Sequence, residues 1–324
     1  MKRVLITGAA GMIGSHLTDT LLEKGYYVIG VDDFSVGKKD NIDHQLKNNN
    51  FLFQKIDVLD FLKLQEISQK VEMIVHLAAK KKIGDDGSGY TTLTVNAKGT
   101  ENVLELAKKY SCKIIIASTS DVYGMSTDLP LKEDGDLLLG PTMIKRWSYA
   151  VSKLYCEQLA FAYFKDFGVP IIVLRYFGGF SPRASFSWSG GHIPLFIDAI
   201  LKNEELIIHG DGKQTRSMGY VTDLVDGTIL AMENSSAIGQ IINIGNDEEM
   251  SVIDTAYLVK EIANTGNDLK IKFIPFEEIF GRYRDIMRRV PDLTKAKELL
   301  CYKPEVCLKD AIKKTIECRK KELA

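Results

Sequence analysis

Tyr149 and Lys153 stand four residues apart in a stretch that reads as helix, so they share one face. A phenol with an ordinary pKa of about 10 is a poor base near neutral pH. An ammonium one turn away favours the phenolate and makes the tyrosine a usable base. Thr119, at the end of an apolar strand-like run, adds a hydroxyl that can bridge a substrate and the phenol. Such a set can take a proton from a secondary alcohol. That is half of an oxidation, and the other half needs a hydride acceptor. The same spacing also arises in plain surface pairs, so its meaning depends on what the chain builds around it.

The acceptor is written at the other end of the chain. Val4, Leu5, Ile6 and Thr7 read as a strand, and Gly8, Gly11 and Gly14 follow before a helix. Gly8 permits the tight turn, Gly11 lets a ligand approach the backbone, and Gly14 lets helix and strand pack closely. The bare N–H groups of that helix start, which includes Met12 and Ile13, suit a pyrophosphate. A second strand over 26–32 ends in Asp32-Asp33. An acid there bonds the adenosine ribose hydroxyls and repels a 2′-phosphate, which favours NAD over NADP.

Stepping along the chain, a third strand over 51–56 leads to Asp57-Val58, where Asp57 either meets the adenine or starts a helix. The fourth strand, over 73–79, carries Leu77, Ala78 and Ala79 past the cofactor, and His76 on it reads as a core histidine. A helix opens at Val95-Asn96 and runs to about 110, with Asn96 assigned to the cofactor. The fifth strand covers 113–118, a helix runs from 149 to about 167, and the sixth strand, over 171–175, delivers Tyr176 to the cofactor. This alternation predicts an α/β fold with a doubly wound parallel Rossmann sheet. Residues 1–175 form the NAD-binding domain. Residues 176–324 form a smaller mixed α/β substrate-binding domain on the C-terminal side, with strands near 218–245 returning to the sheet. Strands are expected over 217–223 and 241–245.

Composition excludes several classes. A net charge of −1 over 324 residues argues against a nucleic-acid or membrane-surface partner. No apolar run approaches the length of a membrane span. Five scattered cysteines without a CxxC pair indicate a reducing, cytoplasmic setting, with neither a disulfide framework nor a metal site. The 149–166 helix is apolar on more than one side, so it covers the sheet and also a partner, predicting a homodimer through helices 96–110 and 149–166.

Taken together, GAAGMIG at 8–14, HLAA at 76–79, NAKGT at 96–100, STSDVYG at 118–124, YAVSK at 149–153 and RYFGGFSPR at 175–183 resemble the extended short-chain dehydrogenase/reductase family. So do GDGKQTRSMGYVTDLVDG at 210–227 and RRVPDLTKAKELL at 288–300. Members act on nucleotide-linked sugars as 4-epimerases, 4,6-dehydratases and decarboxylases. The resemblance implies that Thr119, Tyr149 and Lys153 are catalytic, with Ser120 and Asp121 beside them. It implies that Gly8, Gly11, Gly14, Asp32, Asp57 and Lys153 hold NAD. It gives the nucleotide-diphosphate sugar to Arg216 and to Arg282 or Arg289, with Arg183 and His192 added from the segment after Gly178.

This chain departs from the family pattern at Gly178, where an asparagine is usual, and in the 183–192 segment with its Trp188. All three reactions begin with a 4-keto sugar. Dehydratases of the family carry Asp-Glu directly after the threonine, where this chain has Ser120-Asp121. UDP-glucuronate decarboxylases carry serine and then glutamate there, and residues 281–291 resemble their tail. A 4-epimerase needs only Thr, Tyr, Lys and room for the keto sugar to turn over. The expected activity is therefore UDP-hexose-type 4-epimerisation, with decarboxylation, dehydration and simple C4 oxidoreduction as alternatives. A binding protein that senses NAD on the same fold would be marked by loss of the tyrosine or the lysine, and both are present.

Overall fold

The computed structural model describes residues 1–81, 89–185, 191–280 and 285–323. In chain order the first half holds β1 (Arg3–Thr7), α1 (Met12–Glu23), β2 (Tyr27–Asp32), β3 (Phe51–Lys55), α2 (Phe61–Ile67), β4 (Met73–His76), α3 (Gly89–Tyr110), β5 (Lys113–Thr119) and α4 (Trp147–Phe167). The second half holds β6 (Ile171–Tyr176), β7 (Gly179–Phe180), α5 (His192–Leu201), β8 (Leu206–His209), β9 (Thr215–Ser217), β10 (Gly219–Tyr220) and α6 (Val221–Glu233). It continues with β11 (Ile241–Ile244), β12 (Glu249–Ser251), α7 (Val252–Ala263), β13 (Ile271–Ile274), α8 (Phe276–Phe280), α9 (Thr294–Leu300) and α10 (Leu308–Leu323).

Seven strands form one sheet in the order β11-β6-β5-β4-β1-β2-β3, all pairing in parallel. The alternation read from the sequence predicts this doubly wound sheet. Side chains alternate between its two faces. Leu5, Ile29, Ile74, Ile114, Ile116 and Val173 pack with Val103, Leu104 and Ala107 of α3 and Cys156 and Ala160 of α4. Val4, Ile6, Val28, Val75, Ile115 and Leu174 pack on the other face with Leu17 and Leu21 of α1 and Leu224 and Ile229 of α6. Both faces are covered, which is why these strands read as unbroken apolar runs. Full burial of each such side chain is worth about 1.5–3 kcal/mol.

The strand order reverses between β1 and β4, so a crevice opens at the carboxyl ends of the strands there. Three two-stranded ribbons, β10 with β7, β12 with β9 and β13 with β8, lie outside the large sheet.

Two elements differ from expectation. The helix read from Val95 begins at Gly89, and residues 217–223 are not one strand. Gly219–Tyr220 pairs with Gly179–Phe180, and Val221 already opens α6. The β-branched residues Val221 and Thr222 imitate a strand start, but Leu224, Val225, Thr228, Ile229 and Met232 recur at helical spacing and bury one face. Further on, Ile241 to Ile244 add to the large sheet beside β6, with Ile241 opposite Val173. Among the described residues no helix is long and apolar enough to cross a membrane.

Candidate active site

One cavity follows the carboxyl edge of the sheet. Of the expected residues, it is lined by Gly8, Gly11, Met12, Ile13, Gly14, Asp32, Asp33, Asp57, Val58, Leu77, Ala78, Ala79, Thr119, Ser120, Tyr149, Lys153, Tyr176, Arg183 and Arg289. The glycine turn is built by close packing. Gly8 has φ +76°, and a Cβ there would stand 2.8 Å from the Ala78 nitrogen. A Cβ on Gly14 would stand 2.1 Å from the Gly8 carbonyl oxygen. The N-cap of α1, Gly11, offers no capping side chain, and the first turn holds no acid, so the leading N–H groups are left for an anion. Asp32 Oδ2 accepts from the Ala10 N–H at 3.0 Å and Oδ1 from the Phe34 N–H at 2.8 Å. Burial pushes its carboxyl above the usual value, against the pull of those two bonds. These features fit a dinucleotide with a free ribose diol.

The reacting end lies past the end of β5. The Lys153 ammonium donates to the Ala117 carbonyl at 2.8 Å, which fixes it under the strand end. Burial raises the Tyr149 phenol and Asp121 raises it further, while Thr119 pulls it down. Thr119 caps the short turn that follows, accepting from the Asp121 N–H at 3.2 Å. Beneath this turn, Glu157, on α4 one turn after Lys153, makes a buried two-pronged pair with Arg175 at 3.0 and 2.8 Å and takes the Ser118 hydroxyl. Arg175 lies 4.8 Å over the Tyr123 ring, and the Tyr123 hydroxyl donates to Asn243 of β11 at 2.7 Å. The end of β5 is thus tied to β6, β11 and α4.

Asp121 is buried and would be expected to hold its proton. Arg289, Lys81, Arg146 and Arg216 outweigh that burial and hold its carboxyl well below the ordinary range. Arg289 Nη1 lies 2.9 Å from Asp121 Oδ1 and 3.4 Å from Ser120 Oγ. Its position follows from the backbone around it. The Thr215 N–H donates to the Met287 carbonyl at 2.8 Å and the Ser217 N–H to the Arg289 carbonyl at 3.3 Å, which sews this tail onto β9. Arg216 binds Asp285 at 2.8 Å and the Ile286 carbonyl at 2.7 Å, and Arg146 stands 3.9 Å from the same Asp285. His192 opens α5, and burial, with Arg216 and Arg289, depresses its imidazole to about 3. Among the described residues its Nε2 has no hydrogen-bond partner.

Most expected residues meet along this crevice, and some do not take the expected place. Asn96 does not face the cavity. Its Oδ1 accepts from the Lys80 N–H at 2.8 Å, and its Nδ2 donates to the Lys80 carbonyl and to Ser152 Oγ. It holds the loop after β4 against α4, because its amide matches one backbone N–H and one backbone carbonyl at once. Arg183 lines the cavity but pairs with Asp19 of α1 at 2.7 Å, next to the glycine turn. Arg216 and His192 flank Arg289 without lining the cavity itself. Arg282 and Trp188 lie outside the described residues. His76 is a core histidine, with Nδ1 2.8 Å from Thr7 Oγ1 and Nε2 3.1 Å from Thr100 Oγ1.

Sequence reasoning misses Lys81, Arg146 and Asp285 as site residues, and likewise Ser35, Val36, Gly37, Lys38 and Asn41, which line the cavity. Gly37 packs against Asp32 and Ala10, a close approach that its lack of a side chain signals. Arg146, three residues before Tyr149, carries a signal in its position alone.

Comparison with known proteins places this geometry. A family profile described as GDP-mannose 4,6 dehydratase matches residues 5–315. A UDP-N-acetyl-alpha-D-glucosaminuronate decarboxylase of Bacillus cytotoxicus is 38% identical over 318 residues, covering 98% of this chain and 97% of that protein. UDP-glucuronic acid decarboxylase 1 of Xenopus tropicalis is 37% identical and covers 99% of this chain and 73% of that protein. The crystal structure of UDP-glucuronic acid 4-epimerase from Bacillus cereus, in complex with UDP-glucuronic acid and NAD, superposes with a TM-score of 0.88 at 33% identity, covering 99% of each chain.

Proposed function

The chain belongs to the GDP-mannose 4,6-dehydratase family of extended short-chain dehydrogenase/reductases, NAD-dependent enzymes of nucleotide sugars, and on that premise we propose that it decarboxylates a UDP-linked uronate. The observation that carries this reading is the partly buried Asp121–Arg289 pair at the reacting end, beside Thr119 and Tyr149. Four cationic side chains crowd Asp121, so the site favours an anionic sugar over a neutral hexose. Asp121 stays ionised and cannot supply the proton at O6 that dehydration needs. Decarboxylation is therefore set ahead of the 4-epimerisation expected from the sequence.

The glycine turn and Asp32 would hold NAD, which would supply the hydride acceptor and donor for the sugar C4. The chain's residues do the rest. Tyr149, as phenolate, accepts the C4 hydroxyl proton, Thr119 orients that hydroxyl, and Lys153 supports the phenolate. The resulting C4 ketone draws in the electrons of the C5–C6 bond as carbon dioxide leaves. Arg289, anchored on Asp121 and Ser120, presents its remaining N–H groups to the sugar carboxylate. Protonation at C5 and return of a proton from Tyr149 to O4 complete the cycle and release a UDP-pentose.

The same reading extends to assembly. Tyr90 and Leu93 of α3 and Val151 and Tyr155 of α4 are exposed apolar side chains on the two helices expected to pair, which supports a homodimer through them. The test of the activity is product analysis. Incubation with UDP-glucuronate or UDP-N-acetylglucosaminuronate should release carbon dioxide and give a UDP-pentose by NMR. A 4-epimer that keeps its carboxylate would replace this reading with epimerisation.

A further inference from the structure

Lys81 was in no motif, yet it stands at the reacting end. It lines the cavity and places its ammonium 5.8 Å from the centroid of the Tyr149 ring. Its backbone is held, because the neighbouring Lys80 makes two hydrogen bonds to the Asn96 amide. Among the described residues it makes no hydrogen bond or ion pair, and its ammonium faces that ring. Burial lowers its affinity for a proton, and Arg289 and Arg146 oppose it, while Asp121 favours the charge. An ammonium desolvated with no ion-pair partner among the described residues is costly, and a binding site is where such a cost is recovered when ligand arrives.

The covalent structure of the substrate says which anion. Tyr149 must reach the oxygen on C4, and in a uronate the carboxylate carbon is two bonds from C4. A hexose offers only hydroxyls there, and the diphosphate leaves from the far side of the ring at C1. The only anionic group that a ligand of this class brings beside Tyr149 is the carboxylate. Asp121 does not fill the role, since Arg289 already engages it at 2.9 Å.

We propose that the Lys81 ammonium is a second counter-ion, beside Arg289, of the substrate's sugar carboxylate and sets the choice of a uronate over a neutral hexose. This rests on the uronate reading of the site and adds the residue that selects for it. Lys81 grips the carboxylate in the ground state, and that grip is lost as carbon dioxide leaves. Its removal should therefore raise KM and Kd and leave kcat near its original value or above it.

The test uses the NAD-loaded protein carrying Tyr149→Phe, which keeps the ring and stops turnover, with calorimetric Kd for UDP-glucuronate and UDP-glucose. Adding Lys81→Met should weaken UDP-glucuronate by about 10- to 100-fold, the range of one charge-assisted contact, and leave UDP-glucose within about threefold. Lys81→Arg should restore most of the loss. Equal weakening of both ligands, or an unchanged ratio, overturns the proposal. The two readings fail separately. With Tyr149 intact, absence of carbon dioxide release from either uronate sinks the decarboxylase reading. Release of carbon dioxide together with an unchanged Kd ratio in Lys81→Met sinks only the role of Lys81.

Discussion

The two ends of the crevice are built in opposite ways. The cofactor end is largely local: Gly8, Gly11, Gly14 and Asp32 come from one β1-α1-β2 unit, and Gly8 also packs against Ala78 after β4. The reacting end is assembled from far apart. Tyr149 and Lys153 come from α4, Asp121 from the turn after β5, Lys81 from the loop after β4, and Arg289 from a tail sewn onto β9. A site whose parts are close in sequence writes itself as a motif. A site whose parts meet only through tertiary pairing leaves isolated charged residues that look like solvated surface.

The largest effect should come from the centre of the reacting end. Tyr149→Phe removes the proposed general base and should lower kcat by about 10²–10⁴, with bound NAD per chain within a few-fold of the original. Normal turnover would remove the proton-transfer role. The reciprocal change is Gly14→Ala. Its Cβ would meet the Gly8 carbonyl at 2.1 Å, so the turn must open. Purified protein should carry little NAD and unfold at lower temperature. If cofactor content and thermal midpoint both stay unchanged, the turn is not the rigid cradle that its packing indicates.

How much was legible follows the same division. The sheet strands β1 to β6, the glycine turn and the Asp32 strand end were all readable, because period, glycine spacing and one acid at a fixed place are local signals. The helix at Val221 was misread because its first residues are β-branched, and packing against the sheet overrode them. Asn96 looked like a ligand contact because its place in a motif says nothing of which way its amide faces. Lys81 was hidden among Lys80, Lys81 and Lys82, three lysines of which sequence alone cannot choose one. Arg146 and Asp285 meet across the fold, and no spacing announces that contact.

A smaller change sharpens the reacting end without dismantling it. Asp121→Asn keeps the shape and removes one negative charge beside Tyr149. That charge raises the phenol's pKa, so its loss should lower the pKa. With the phenolate as the proposed base, rate rises with pH through that value, and the acidic limb of kcat/KM should move to lower pH. Decarboxylation should also fall by about 10²-fold, the lower range for a charged group at a reacting centre, as Arg289 loses its anchor. An unshifted acidic limb would mean that Asp121 does not act on Tyr149.

The smallest effect concerns what joins the two ends. His76 bridges Thr7 beside the glycine turn and Thr100 on α3, and burial, with Lys153, depresses its imidazole to about 3. The folded protein keeps it neutral, whereas the unfolded chain takes up a proton below its ordinary 6.5. Its contribution is therefore complete above about pH 6.5 and declines as the pH falls toward 3. Between pH 7 and 5 the decline is about 2 kcal/mol for this one group. His16 and His192 are depressed in the same direction and steepen the loss. His76→Asn should lower stability at pH 7 by breaking the bridge, yet flatten the fall in urea-unfolding free energy from pH 7 to 5. If the slope is as steep in the variant, the protonation of His76 is not what couples acid to the junction between the cofactor and reacting ends.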